Sequence, residues 1–209
     1  MRRMVRCGIA SVMAVAIMAC VVGSASARNL SVTNRSFRVT WTPLTYSEPF
    51  NFFSIRCNVT VEGSLHENTI SKVIGSLVGY VTRAAVAHPC TGGEGWAWNG
   101  VEGALTGAST LPWHITYQGF TGTLPNISGV RLSMRGFKFS INNGVCLGTY
   151  APAVISGTAN ISAGRTMTLT PGTELFSPIE GSCPEGRYSG TSGTLVLLGT
   201  TTAISISLI

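Results

Sequence analysis

"FSIRCNVTVE" (53–62) alternates apolar and polar residues without a break. Phe53, Ile55, Cys57, Val59 and Val61 fall on one side of an extended chain; Ser54, Arg56, Asn58, Thr60 and Glu62 fall on the other. Successive side chains of a strand point to opposite faces. A period of two therefore predicts a half-buried antiparallel strand, one face on a core and one in water. "SFRVTWT" (36–42) repeats the pattern with Phe37, Val39 and Trp41, and "AISISLI" (203–209) sets Ile204, Ile206 and Leu208 against Ser205 and Ser207. "PAVISGTANIS" (152–162), "RTMTLTPG" (165–172) and "SGTLVLLG" (192–199) add short strands punctuated by Gly and Pro. "GFKFSINNGVCLGTY" (136–150) reads as a hairpin, since Asn143-Gly144 accepts the positive φ values of a type I′ turn. The expected fold is all-β: an antiparallel β-sandwich, Greek-key or jelly-roll-like, of roughly 10–12 strands.

One segment departs from the period of two. In "NTISKVIGSLVGYVTRAAVAH" (68–88), Ile70, Val73, Ile74, Leu77, Val78 and Val81 recur at helical spacing, with Asn68 or Thr69 as N-cap. Gly75 and Gly79 each weaken such a helix by about 1 kcal/mol. The expectation is one short helix near 69–78, followed by a strand near 80–87.

The N-terminus reads as an export signal. Arg2, Arg3 and Arg6 precede the apolar run "GIASVMAVAIMACVV" (8–22), and Ala25 and Ala27 form an A-x-A cleavage pattern. Cleavage after Ala27 leaves residues 28–209 as a single secreted β-sandwich domain with no transmembrane anchor. The apolar run is short for a membrane span. A lipoprotein alternative would use Cys20 in "IMAC", but Met18 and Val21 fit a lipobox poorly. An eight-stranded membrane barrel is disfavoured by the cysteines and by Ile209 in place of a terminal aromatic.

Charge excludes one class of partner. Of 14 Lys and Arg, three leave with the signal, so 11 basic residues face 8 acidic ones, and every acid is Glu. With no run of Lys or Arg, the chain carries no electrostatic footprint for nucleic acid. Four cysteines remain: Cys57, Cys90, Cys146 and Cys183. In an oxidising compartment an even number reads as two disulfides. Three connectivities are possible; sequential pairing, Cys57–Cys90 with Cys146–Cys183, is the expectation. There is no C-x-x-C, and His88 two residues before Cys90 is a poor start to a zinc site. Neither metal nor cofactor is expected.

Catalytic signatures are sparse. G-x-S-x-G is missing, "HENTI" (66–70) has Ile70 where a zincin needs its second His, and no Asp exists to complete a Ser-His-Asp triad. A small secreted hydrolase would have to rest on glutamates brought together in space, with Glu94 and Glu102 as the candidates.

"TGGEGWAWNG" (91–100) is the stronger candidate for ligand contact. Trp96 and Trp98, two apart on an extended chain, project to one side, and indole faces stack on sugar rings. Glu94 and the flanking glycines complete the set. In "PWHITYQGF" (112–120), Trp113, Ile115 and Tyr117 share a core-like face, which turns His114 toward solvent or a groove as a further candidate.

"HENTISKVIGSLVGYVTRAAV" (66–86) and "LPWHITYQGFTGTLPNI" (111–127) resemble a group of secreted, β-rich proteins of soil actinobacteria. Those proteins carry a cysteine-bearing strand, a T-I-x-K-x-x-G segment and a P-W-H…Y…F-x-G-T-L-P block. The resemblance spans roughly residues 53–150. It implies export and a shared β-fold, and it implies no activity, cofactor or site residue. The functional expectation is an exported, non-catalytic extracellular or cell-surface module that binds glycan or cell-wall material through Trp96 and Trp98. The alternatives are a structural or adhesive envelope protein with no small-ligand site, and the glutamate hydrolase.

Overall fold

The computed structural model describes residues 29–50, 52–97, 109–123, 126–161, 167–172 and 175–208. The export signal, Trp98 and Glu102 lie outside the described residues. The chain enters the fold through β1 (Asn29–Val32), β2 (Ser36–Ser47), β3 (Ser54–Leu65), β4 (Thr69–Ser71), β5 (Leu77–Thr91) and β6 (Glu94–Ala97). The long central strands β7 (Trp113–Thr123), β8 (Asn126–Asn142) and β9 (Leu147–Ile161) follow, then β10 (Met167–Pro171). Short segments finish it: β11 (Leu175–Phe176), β12 (Glu180–Gly181), β13 (Gly186–Gly190), β14 (Gly193–Thr194), β15 (Val196–Leu197) and β16 (Ile206–Leu208).

The all-β, antiparallel expectation holds. The main sheet runs β11-β13-β2-β3-β5-β7-β8-β9-β10-β14 and every pairing in it is antiparallel. It curls until its ends meet. Residues 193–197 pair with β10 through Leu169↔Gly193 and with β2 through Arg38↔Val196. The two layers that face each other across the core are thus opposite walls of one curled sheet. A second sheet, β16-β1-β4, buries Leu30, Val32, Ile70 and Ile206 in the same core, with Ile204 beside it.

The alternation in 53–62 has its structural counterpart in β3. Ile55, Cys57 and Val61 are buried and Phe53 and Val59 half-buried, while Ser54, Arg56 and Asn58 are exposed. Outside, Glu62 accepts from Arg38 Nε at 2.8 Å and lies 3.3 Å from Arg83. A strand whose inner side chains are apolar and whose outer ones are charged has the reverse polarity of a lipid-facing barrel.

The helix expected near 69–78 does not form. Residues 69–71 are β4, residues 72–76 turn, and β5 begins at Leu77, ahead of the strand expected near 80–87. Ile70 finds burial by pairing with Leu30, and Val73 and Ile74 stay exposed on the turn. Gly75 takes φ +81°, and its N–H donates to Tyr117 O at 2.7 Å. Helical spacing here is a coincidence of two strand ends and a turn. β-branched residues and two glycines make a poor helix, and cross-strand partners outweigh local periodicity.

The hairpin at 136–150 is present as β8 and β9, with a four-residue connection rather than a two-residue turn. Asn143 Oδ1 accepts from the N–H of Val145 and of Cys146, at 2.9 and 2.8 Å, and Gly144 takes φ +82°. Cys57–Cys90 and Cys146–Cys183 are both formed, the sequential pairing.

Aromatic rings fill one half of the interior. Phe139 stacks on Tyr150 at 4.8 Å, and Tyr46, Tyr188, Phe137 and Phe176 pack around them. Between the walls lies a cavity of about 160 Å³, lined almost wholly by apolar side chains from both sides of the barrel. An eight-stranded closure leaves an interior that side chains just fill or that holds one small ligand. A cavity of this size forgoes roughly 4 kcal/mol of packing, at about 24 cal/mol per Å³.

Candidate functional site

β5 and β6 are joined by a tight turn at Gly92-Gly93, at φ +83° and +145°, and β6 pairs with β8. Nothing larger fits there. A Cβ on Gly92 would sit 2.1 Å from Ser54 O, and one on Gly93 would sit 2.5 Å from Asn142 O. The turn is therefore wedged between the start of β3 and the end of β8, and Cys57–Cys90 ties β5 to β3. Along β6, Gly95 and Ala97 are buried, while Glu94 and Trp96 are half-buried.

Three side chains meet beside this turn. His88 Nδ1 lies 2.5 Å from Glu94 Oε2, and the His88 ring is 6.0 Å from the Trp96 ring. Both members of the polar pair are more than a third exposed, so solvent reaches them. The result is an indole beside an oriented imidazole and a carboxylate, on a backbone pinned by a disulfide. Such a surface can stack a ring and exchange hydrogen bonds with hydroxyls.

His88, Cys90 and Glu94 place three potential ligand atoms within 4.8 Å of one another. Cys90 is oxidised, and a disulfide sulfur is not a thiolate ligand. The two remaining groups do not make a closed metal site. Nor do they make a catalytic triad: among the described residues no hydroxyl hydrogen-bonds to His88. The candidate partner Glu102 lies outside the described residues, as does Trp98.

His114 stands apart from this group. Its ring meets the edge of Tyr80 at 5.0 Å, and Tyr80 in turn meets His66 at 4.7 Å. The three rings form an outward row across β3, β5 and β7. Arg135 is the cross-strand neighbour of His114, and no contact among the described residues joins His114 to Trp96 or Glu94. Trp113, Ile115 and Tyr117 are buried beneath.

Sequence reasoning passed over His88 as a ligand contact and missed the interior cavity. His88 had a signal: it lies six residues from Glu94, across a Gly-Gly turn that folds the chain back on itself. The cavity had none, because a void is a property of packing between strands far apart in sequence.

A further surface lies at the tip between β2 and β3. Phe50 and Phe52 are 78% and 87% exposed, with ring centres 6.1 Å apart. Glu48, buried at 2% exposure, accepts from the Phe50 N–H at 2.8 Å and from the Phe52 N–H. The carboxylate thus holds the loop in a shape that presents both rings. Compared with known protein families, curated proteins and solved structures, the chain matches none.

Proposed function

We propose that the chain is an exported, non-catalytic binding module that contacts glycan or cell-wall material through the outer face of the β5–β6 turn. The observation that carries this reading is the half-buried Trp96 beside the His88–Glu94 pair. An indole supplies area at little rotamer cost, and the flanking carboxylate and imidazole offer an acceptor and a donor to sugar hydroxyls. The rigid backbone beneath means that little ordering is required on binding. Export rests on the signal pattern at residues 1–27 and agrees with two disulfides. Affinity electrophoresis through polysaccharide gels tests it. Trp96→Ala should lose the retardation while the melting temperature stays within about 2 °C, since the side chain is not core. Unchanged retardation, or a collapse of stability, refutes the platform.

A second reading, an adhesive envelope component without a small-ligand site, draws on Phe50 and Phe52. It requires the opposite pattern: Phe50→Ser with Phe52→Ser abolishes adsorption to envelope fragments, and Trp96→Ala leaves it intact.

A further inference from the structure

The cavity between the barrel walls has the features of a binding site. Its lining joins side chains from both ends of the sequence, among them Phe37, Trp41, Val81, Trp113 and Met167. Closed apolar cavities of about 150 Å³ exclude water and accept small hydrocarbons such as benzene. This one is of that size and similarly apolar, and it is partly open to the outside.

Four lining residues carry hydroxyls, Tyr46, Ser133, Ser156 and Tyr188; Tyr46 bonds Pro184 O, and Ser133 bonds Thr116 and Gln118. Tyr188 is half-buried, borders the cavity and packs against Phe139 at 4.8 Å. Its neighbours Tyr46 and Tyr150 both donate to Pro184 O, at 3.4 and 2.6 Å. The Tyr188 hydroxyl has no hydrogen-bond partner among the described residues. Burial pushes its ionisation well above the ordinary phenol range, so it remains a neutral donor and acceptor. A deeply buried hydroxyl left unpaired is costly, and such groups in native proteins call for an explanation.

We infer that the barrel interior binds a small uncharged molecule, mostly hydrocarbon, carrying one hydroxyl or carbonyl that pairs with Tyr188. The ligand is about the size of a substituted benzene ring. A carboxylate or ammonium is excluded, because among the described lining residues none carries a charge to offset its desolvation. Trp96, whose ring lies beside His88 and Glu94, also borders this cavity, so the interior site abuts the outer platform.

The probes are toluene, benzyl alcohol and benzoate, titrated calorimetrically into the folded chain with its disulfides intact. Toluene and benzyl alcohol should bind, and benzoate at least tenfold more weakly than either. Tyr188→Phe should weaken benzyl alcohol about tenfold and leave toluene unchanged, a split that a general loss of packing does not produce. Ala84→Leu and Ala159→Leu, at two buried lining positions, should remove binding of both neutral probes without unfolding the chain. Should those fillers fail to fold, the Tyr188→Phe split decides alone. The proposal is overturned if neither neutral probe binds the unmodified chain, if folded filler variants still bind, or if Tyr188→Phe affects both probes equally. Tyr188→Phe should leave retardation on polysaccharide gels unchanged, which separates this site from the outer platform.

Discussion

Adjacent residues Trp113 and His114 make opposite demands on the fold, and truncating each to Ala measures the difference. Trp113 is 0% exposed. Its indole meets the Phe137 ring edge-on at 4.8 Å, and its Nε1–H donates to Thr110 Oγ1 at 2.9 Å. Removing a buried Trp costs about 3–5 kcal/mol, made of lost transfer energy and a new void. The edge-to-face pair accounts for about 0.5–1.5 kcal/mol of such a total and the hydrogen bond for about 1. Because Trp113 also lines the existing cavity, its truncation enlarges a void that the rigid sheet cannot close, which favours the upper end of the range. For a domain of this size each kcal/mol shifts the melting temperature by roughly 2–4 °C, so Trp113→Ala should fall by about 6–20 °C. His114 is exposed and meets the Tyr80 ring edge-on, so His114→Ala should change stability by less than about 0.5 kcal/mol. Near-UV circular dichroism against temperature reads both. Comparable shifts for the two variants would refute the assignment of inner and outer faces along β7.

Two further outcomes concern the staples and the phenols. The disulfides close separations of 33 and 37 residues, each worth about 4 kcal/mol in the chain-entropy account, so removing either pair as alanines should lower the melting temperature by roughly 8–16 °C; a loss below about 2 °C for both would mean that neither constrains the unfolded chain. Burial raises the ionisation of Tyr46, Tyr117, Tyr150 and Tyr188 above the ordinary phenol range. The unfolded chain therefore releases these protons first. Stability should be level below about pH 10 and then fall by up to about 1.4 kcal/mol per pH unit for each phenol. Phenolate absorbance should lag until the fold is lost, and a normal titration of all five tyrosines in the folded chain would contradict this.

Strand content was legible where one face is buried and the other wet, since that contrast writes itself into every second residue. β3 and β7 are the clearest cases: Cys57 and Trp113 were assignable to the core from their neighbours alone. The disulfide pattern followed from compartment and cysteine number, with the structure choosing among three connectivities. The 69–78 segment misled because two short strands and a turn reproduced a helical period, and only the pairing of Ile70 with Leu30 resolves it. Of the candidate site, Trp96 and Glu94 do share a face, whereas His114 lies on a different row of rings. His88 joins them through the geometry of the Gly92-Gly93 turn rather than through any motif. The Tyr188 hydroxyl and the space beside it depend on how opposite walls fit, which no local pattern encodes.

Residues 193–197 bind the two ends of the curled sheet together, and this makes the order of assembly matter. The outer edge of β2 must wait for partners that lie almost the whole folded chain away, in β13 and β15. Until then β2 and β10 present unpaired N–H and C=O groups to any passing strand, including those of another copy. Contacts so distant in sequence slow folding, and slow folding lengthens that exposure. The seam is thus where newly made chains are most vulnerable to intermolecular pairing. It is also the place where amide hydrogens of the mature barrel should exchange soonest, since so few bonds hold it shut.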